Sequence, residues 1–146
     1  MVDVLTEITI KCPRETVATY AANPDNAPEW YENIESAEWL TPKPLAVGSE
    51  IAFKARFLGK QLSYVYRIEE YVPGKLLVMS TAHGPFPMET TYTWQSVSGD
   101  STRMTLRNCG TPAGFSIIFK PLMSFMMKKA NNKDLHKIKQ ILERRK

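Results

Sequence analysis

The chain has 146 residues, 43% hydrophobic and 23% charged, which suits one domain over residues 1–146 with a single core and no linker. No segment has the unbroken apolar length of a membrane span, and Met1-Val2-Asp3-Val4 lacks the basic stretch and apolar run of a secretory signal, so a cytoplasmic location is expected. The formal net charge of +4 hides an asymmetry, with +6 on residues 128–146 and −2 on residues 1–127, so the basicity belongs to the C-terminal tail and no DNA partner is expected.

Val4, Thr6, Ile8 and Ile10 alternate with polar or outward positions, which predicts a first strand with one face inward. Pro13 ends it and opens a short helix to about Ala22, with Val17, Ala18 and Ala21 inward. Asn23-Pro24-Asp25 stops that helix, and residues 26–31 form a second short helical turn ending in Trp30 and Tyr31. From Ile34 to Leu106 the turn signals Pro42-Lys43-Pro44, Leu58-Gly59-Lys60, Val72-Pro73-Gly74, His83-Gly84-Pro85 and Ser98-Gly99-Asp100 divide the chain into six strands. Their period-two pattern turns Ile51, Phe53, Tyr64, Tyr66, Ile68, Met88, Thr90, Tyr92, Trp94, Met104, Leu106 and Asn108 to one face, and Arg67, Arg103 and Arg107 to the other. Leu76 to Ser80 is apolar on both faces and leaves its orientation open.

Beyond Gly114, Phe115, Ile118, Phe119, Leu122, Met123, Met126, Leu135, Ile138, Ile141 and Leu142 recur at three- and four-residue steps, the pattern of one long amphipathic helix. Pro121 predicts a late start or a kink near its beginning. The resulting class is α+β, in the order β-α-α-β6-α, with a curved seven-stranded antiparallel sheet. One helix, about 10–12 Å across, is too narrow to fill such a sheet, so a cavity is expected between them.

The element order, together with Pro13, Val17 and Trp30 in PRETVATYAANPDNAPEW, resembles the SRPBCC superfamily, which includes START domains, the birch pollen allergen family and the polyketide cyclase/dehydrase group. Leu45-Ala46-Val47-Gly48-Ser49-Glu50 and Ile68-Glu69-Glu70-Tyr71-Val72-Pro73-Gly74-Lys75-Leu76 are similar to recurrent segments of that last group. The resemblance covers the whole chain. It implies a helix-grip fold and a hydrophobic small-molecule ligand in the cavity.

Apolar ligand sites combine large hydrophobic walls with a few orienting polar groups. The candidate ligand-binding set is Trp30, Phe53, Tyr64, Tyr66, Met88, Thr90, Tyr92, Trp94, Asn108, Phe115, Phe119, Met123 and Met126. Met79 joins it if its strand turns that residue inward. The same residue types also fill ordinary cores. Tyr92 and His83 are the candidate proton-transfer groups, although the sequence supplies neither a carboxylate to orient the histidine nor a nucleophile, and His83 also reads as a turn residue. The two distant histidines and the pair Cys12 and Cys109 offer no metal-ligand or disulfide pattern, so no metal or cofactor is expected.

Three functions fit these features. The first is binding of an apolar lipid, quinone or polyketide-like aromatic. The second is cyclase or dehydrase chemistry in the same cavity. The third is an interaction module whose basic helix meets anionic lipid or RNA, although positive charge near a helix C-terminus is also favoured by the helix dipole. The oligomeric state is left open.

Overall fold

The computed structural model describes residues 2–57, 59–83, 87–110 and 120–145. The elements are β1 (Val2–Ile10), α1 (Arg14–Ala22), α2 (Ala27–Trp30), β2 (Ile34–Trp39), β3 (Glu50–Phe57), β4 (Lys60–Val72), β5 (Leu76–His83), β6 (Met88–Ser98), β7 (Ser101–Gly110) and α3 (Lys120–Arg144), with a 3-10 turn at Pro24–Asn26. This is the expected order. Pro13 is the extended residue that caps α1 rather than a member of its first turn.

The seven strands form one antiparallel sheet in the order β1-β7-β6-β5-β4-β3-β2. The alternation anticipated for β1 holds, because Val2, Val4, Thr6 and Ile10 are buried while Asp3, Leu5, Glu7 and Thr9 are exposed. Pairing register shifts put an extra residue in β5 opposite Val65 and Tyr66, in β4 between Ile68 and Glu70, and in β2 between Ile34 and Ser36. Each irregularity bends its strand and increases the local twist, which curves the sheet around α3 into a helix-grip fold. Leu77 and Met79 of β5 are buried, which decides the orientation that the sequence left open.

On the convex face Arg107 is paired with Asp3 and Arg67 with Glu50, while Arg103 donates to Gln95. All three arginines point outward as expected, and exposed pairs of this kind contribute little stability.

The main core joins β1, α1, α2 and the C-terminal half of α3. Ile10, Val17, Trp30, Met104, Leu106, Leu135 and Ile138 are all at most 1% exposed within it. A small second cluster places Met123 and Met127 of α3 against Val2 and Val4. The buried face of α3 therefore runs through Met123, Met127, Asn131, Asp134, Leu135, Ile138 and Leu142. Leu122, expected on this stripe, is 53% exposed, because the helical step of about 100° per residue leaves it beside the buried line. Pro121 is the second residue of the described helix.

The outer face of α3 carries exposed Phe125 among Lys128, Lys129, Lys133, His136 and Lys137. Some of the tail's charge is engaged within the chain: Lys139 donates to the Thr9 carbonyl and to Glu143, and Arg145 pairs with Glu29 while lying over the Tyr20 ring. No helix among the described residues is long and apolar enough to cross a membrane.

Gly110, which pairs with both Val2 and Met88, sits where the backbone approaches closely. A Cβ there would lie 2.5 Å from the Pro87 carbonyl oxygen and 3.2 Å from the Met88 Cα. Gly110→Ala should therefore destabilise the fold by about 1–3 kcal/mol, read as a lower midpoint in a thermal melt followed by circular dichroism. An unchanged midpoint would show that the β6–β7 end opens freely to admit the methyl group.

Candidate functional site

Along α3 the two halves of the inner face do different work. Leu135, Ile138 and Leu142 fill the core, whereas Met123, Met127, Ala130, Asn131 and Asp134 face a cavity of about 180 Å³. Across from them the sheet divides in the same way. Met88, Thr90 and Tyr92 of β6 and Asn108 of β7 line the cavity, and the next rungs, Trp94 opposite Met104, lie in the core. Further wall residues include Phe53, Tyr64, Tyr66, Ile68, Leu77 and Met79 on the central strands, and Ala27, Trp30 and Tyr31 of the α2 region.

Of the candidates read from the sequence, Trp30, Phe53, Tyr64, Tyr66, Met88, Thr90, Tyr92, Asn108 and Met123 are brought together around this space, with Met79 among them. Trp94 is not on the wall: it is 3% exposed and packs one rung deeper in the core, where α1 and the end of α3 close the sheet. Met126 is also off the wall, because Met127 occupies the cavity-facing position four residues after Met123. Phe115 and Phe119 lie outside the described residues. His83 is the last residue of β5, paired with Val65, and its side chain is likewise outside the described set.

The aromatic groups form a connected wall. Trp30 lies 4.1 Å from Tyr31 and 5.8 Å from Tyr92 between ring centroids, while Tyr66 contacts Phe53 edge-on at 5.7 Å. The hydroxyls of Tyr31 and Tyr92 are hydrogen-bonded to each other, and Thr90 donates to the Asn108 side-chain carbonyl at 2.6 Å. Burial raises the Tyr31 and Tyr92 hydroxyls well above their ordinary range and pushes Tyr66 up to about 12, so all three are neutral phenols at physiological pH.

Sequence reasoning passed over several polar groups on the wall, Asn23, Tyr31, Asn33, Asn131 and Asp134, of which the last two lie on α3. Asp134 is only 3% exposed, and its Oδ1 accepts from the Glu32 backbone N–H at 3.0 Å. Burial pushes its carboxyl up to about 7, with the nearby Glu32 carboxylate adding to the rise and the Glu32 N–H and Lys133 opposing it. A legible signal existed, since Asn131 and Asp134 stand four residues before Leu135 and Ile138 on the apolar stripe of α3, where a polar residue is out of pattern.

The model for the family described as polyketide cyclase / dehydrase and lipid transport matches residues 1–143. The chain belongs to this family. The structures that the fold resembles are consistent with the SRPBCC resemblance read from the sequence. A Thermus thermophilus protein superposes with a TM-score of 0.81 at 19% identity, covering 94% of each chain. The Zhui aromatase/cyclase of Streptomyces sp. R1128 superposes at 0.83 with 13% identity, over 98% of this chain and 94% of that one. A START superfamily protein from Mycobacterium smegmatis gives 0.72 at 14% identity, over 98% and 95%. At such identities the likeness is one of fold. No curated protein matches the sequence.

The position of Asp134 within this family fold has a consequence for stability. Its proton is held more tightly in the folded protein than in the unfolded chain, so between about pH 4 and 7 the unfolded state ionises first and stability falls as pH rises, by up to roughly 1.4 kcal/mol per pH unit. Asp3, Asp25 and Glu143, lowered by Arg107, Lys43 and Lys139, act at more acid pH. Asp134→Asn keeps an acceptor for the Glu32 N–H and cannot ionise. Urea unfolding at about pH 5 and about pH 8 should show the variant gaining on the wild type at the higher pH. An equal difference at both values would mean that Asp134 titrates as an ordinary carboxylate.

Proposed function

We propose that this protein binds an apolar small molecule, such as a lipid, a quinone or a polyketide-like aromatic, in the cavity between the sheet and α3. The observation that carries this reading is the cavity itself. A space of about 180 Å³ between the sheet and α3 is room that larger side chains would fill in an ordinary close-packed core. Its wall is mainly aromatic and aliphatic, with hydroxyl, amide and carboxyl groups at a few positions, the composition that holds and orients an apolar ligand. Flexible methionines at 79, 88, 123 and 127 let the wall adjust to the ligand's shape. The family's description, with its reference to lipid transport, supports the same reading. A cytoplasmic site of action is part of the proposal.

A second reading, enzymatic action of the cyclase or dehydrase type, is favoured by one specific observation. The Asp134 carboxyl, with its near-neutral pKa, and the Tyr31–Tyr92 hydroxyl pair line the same cavity. A carboxyl poised near neutrality can take a proton from a carbonyl-bearing chain or return one, and a cavity that folds the chain brings its reacting atoms together.

Native mass spectrometry of gently purified protein, followed by denaturation and identification of what is released, tests the first reading. A bound lipid, quinone or aromatic is the expected result. A clean apo mass, joined by failure to take up any added apolar ligand, would refute it. Tyr92→Phe separates the two readings: binding of apolar ligands should change less than about tenfold, whereas turnover that depends on the Tyr92 hydroxyl should fall by about 100-fold or more.

A further inference from the structure

Two of the described residues on the cavity wall carry a buried donor without a hydrogen-bond partner, Trp30 at Nε1 and Asn131 at Nδ2, and of these Asn131 stands on α3 with the cavity's carboxyl group. Asn131 is 5% exposed. Buried amide donors are almost always paired, so an unpaired one on a cavity wall marks a place where a ligand atom completes the bonding. Asp134 follows three residues later on the same helical face, close enough for both side chains to reach one ligand atom. Its Oδ1 is anchored by the Glu32 N–H at 3.0 Å. Among the described lining residues none is Lys, Arg or His, and Asp134 is the one carboxylic acid.

These observations discriminate between ligand head groups. A carboxylate would enter with no cation to meet it, and its charge would be desolvated against an apolar wall. An ammonium group would have a counter-ion in ionised Asp134 but no lone pair for the Asn131 donor, which would stay unsatisfied. A neutral carbonyl oxygen accepts from Asn131 Nδ2 and from a protonated Asp134, and carries no charge into the apolar cavity. The raised pKa of Asp134 supplies that protonated donor below about pH 7.

We propose that Asn131 and Asp134 form a polar anchor that selects apolar ligands bearing a neutral carbonyl oxygen over hydrocarbons and over carboxylates. This rests on the cavity-binding reading above and names the ligand chemistry within it. The Tyr31–Tyr92 hydrogen bond uses one of the pair's two hydroxyl protons, and Trp30 Nε1 is also unpaired on the wall, so the Asn131→Leu variant is what assigns the selectivity to α3.

The test uses four naphthalene derivatives of matched size in calorimetric titrations at about pH 6, below the Asp134 transition: 2-acetylnaphthalene, 2-isopropylnaphthalene, 2-naphthoate and 2-naphthylmethylammonium. The wild type should bind the ketone roughly tenfold or more tightly than the hydrocarbon, and the two ions more weakly than the ketone. Asn131→Leu should erase the ketone preference while retaining the hydrocarbon. In the wild type, so that nothing depends on the variant folding, the infrared carbonyl stretch of the bound ketone should move to lower frequency than in hexane. Equal binding of ketone and hydrocarbon, tighter binding of either ion, or an unshifted stretch would overturn the anchor while leaving cavity binding intact. Failure of all four ligands to bind, joined by a clean apo mass, would overturn both.

Discussion

The structure depends on a mismatch of widths. Seven strands spaced about 4.8 Å apart span roughly 29 Å, whereas the one long helix laid across them is about 10–12 Å wide. Curvature at the irregularities of β5, β4 and β2 draws the sheet around α3, and α1 and α2 close one end against Trp30, Met104 and Leu106. At that end the space is filled. Toward the other, the helix presents Ala130, Asn131 and two methionines where it would need larger side chains to meet Phe53, Tyr64 and Met88, and the space stays open.

The division runs along each element that borders both regions, so a step of two residues on a strand, or of about one turn on the helix, carries a side chain from wall to core. Tyr92 and Trp94 are successive inward residues of β6 with ring centroids 6.0 Å apart, yet only the first faces the cavity. The same arrangement separates the chemistry of the interior. The core end is almost wholly apolar, while the polar side chains gathered around the cavity are either paired with each other, as Thr90 with Asn108, or left for something else to satisfy, as Asn131. Retaining polar groups on an apolar wall lowers stability unless they are bonded, which is why Asn131 and Asp134 are more informative than the aromatic residues around them.

Much of the fold was legible from local pattern alone. Alternation in Val2–Ile10 and in Met88–Ser98, the turn residues between strands, and the helical spacing of Leu135, Ile138 and Leu142 each record a constraint between near neighbours, and those constraints survive folding unchanged. Membership in the polyketide cyclase / dehydrase and lipid transport family was legible for the same reason, through Pro13, Val17, Trp30 and the segments around Gly48 and Gly74. The wall of the cavity was legible only in part. Periodicity says which face a residue takes, so it turned Trp94 and Tyr92 to the same side, but it carries no information on how far along the strand the covering helix stops filling the gap.

The sequence by itself therefore determined the class of fold, the order of its elements and the inward face of its sheet, because these follow from periods of two and 3.6 residues and from turn chemistry. Only the tertiary structure decided that Met127 rather than Met126 meets the cavity, that Leu122 faces solvent, and that Tyr31, Asn131 and Asp134 stand on the wall with Tyr66 and Thr90. The reason is physical: the sequence shows Asn131 and Asp134 only as out of pattern on an apolar stripe, whereas the burial that raises the Asp134 pKa and encloses the Asn131 amide comes from groups far away in the chain.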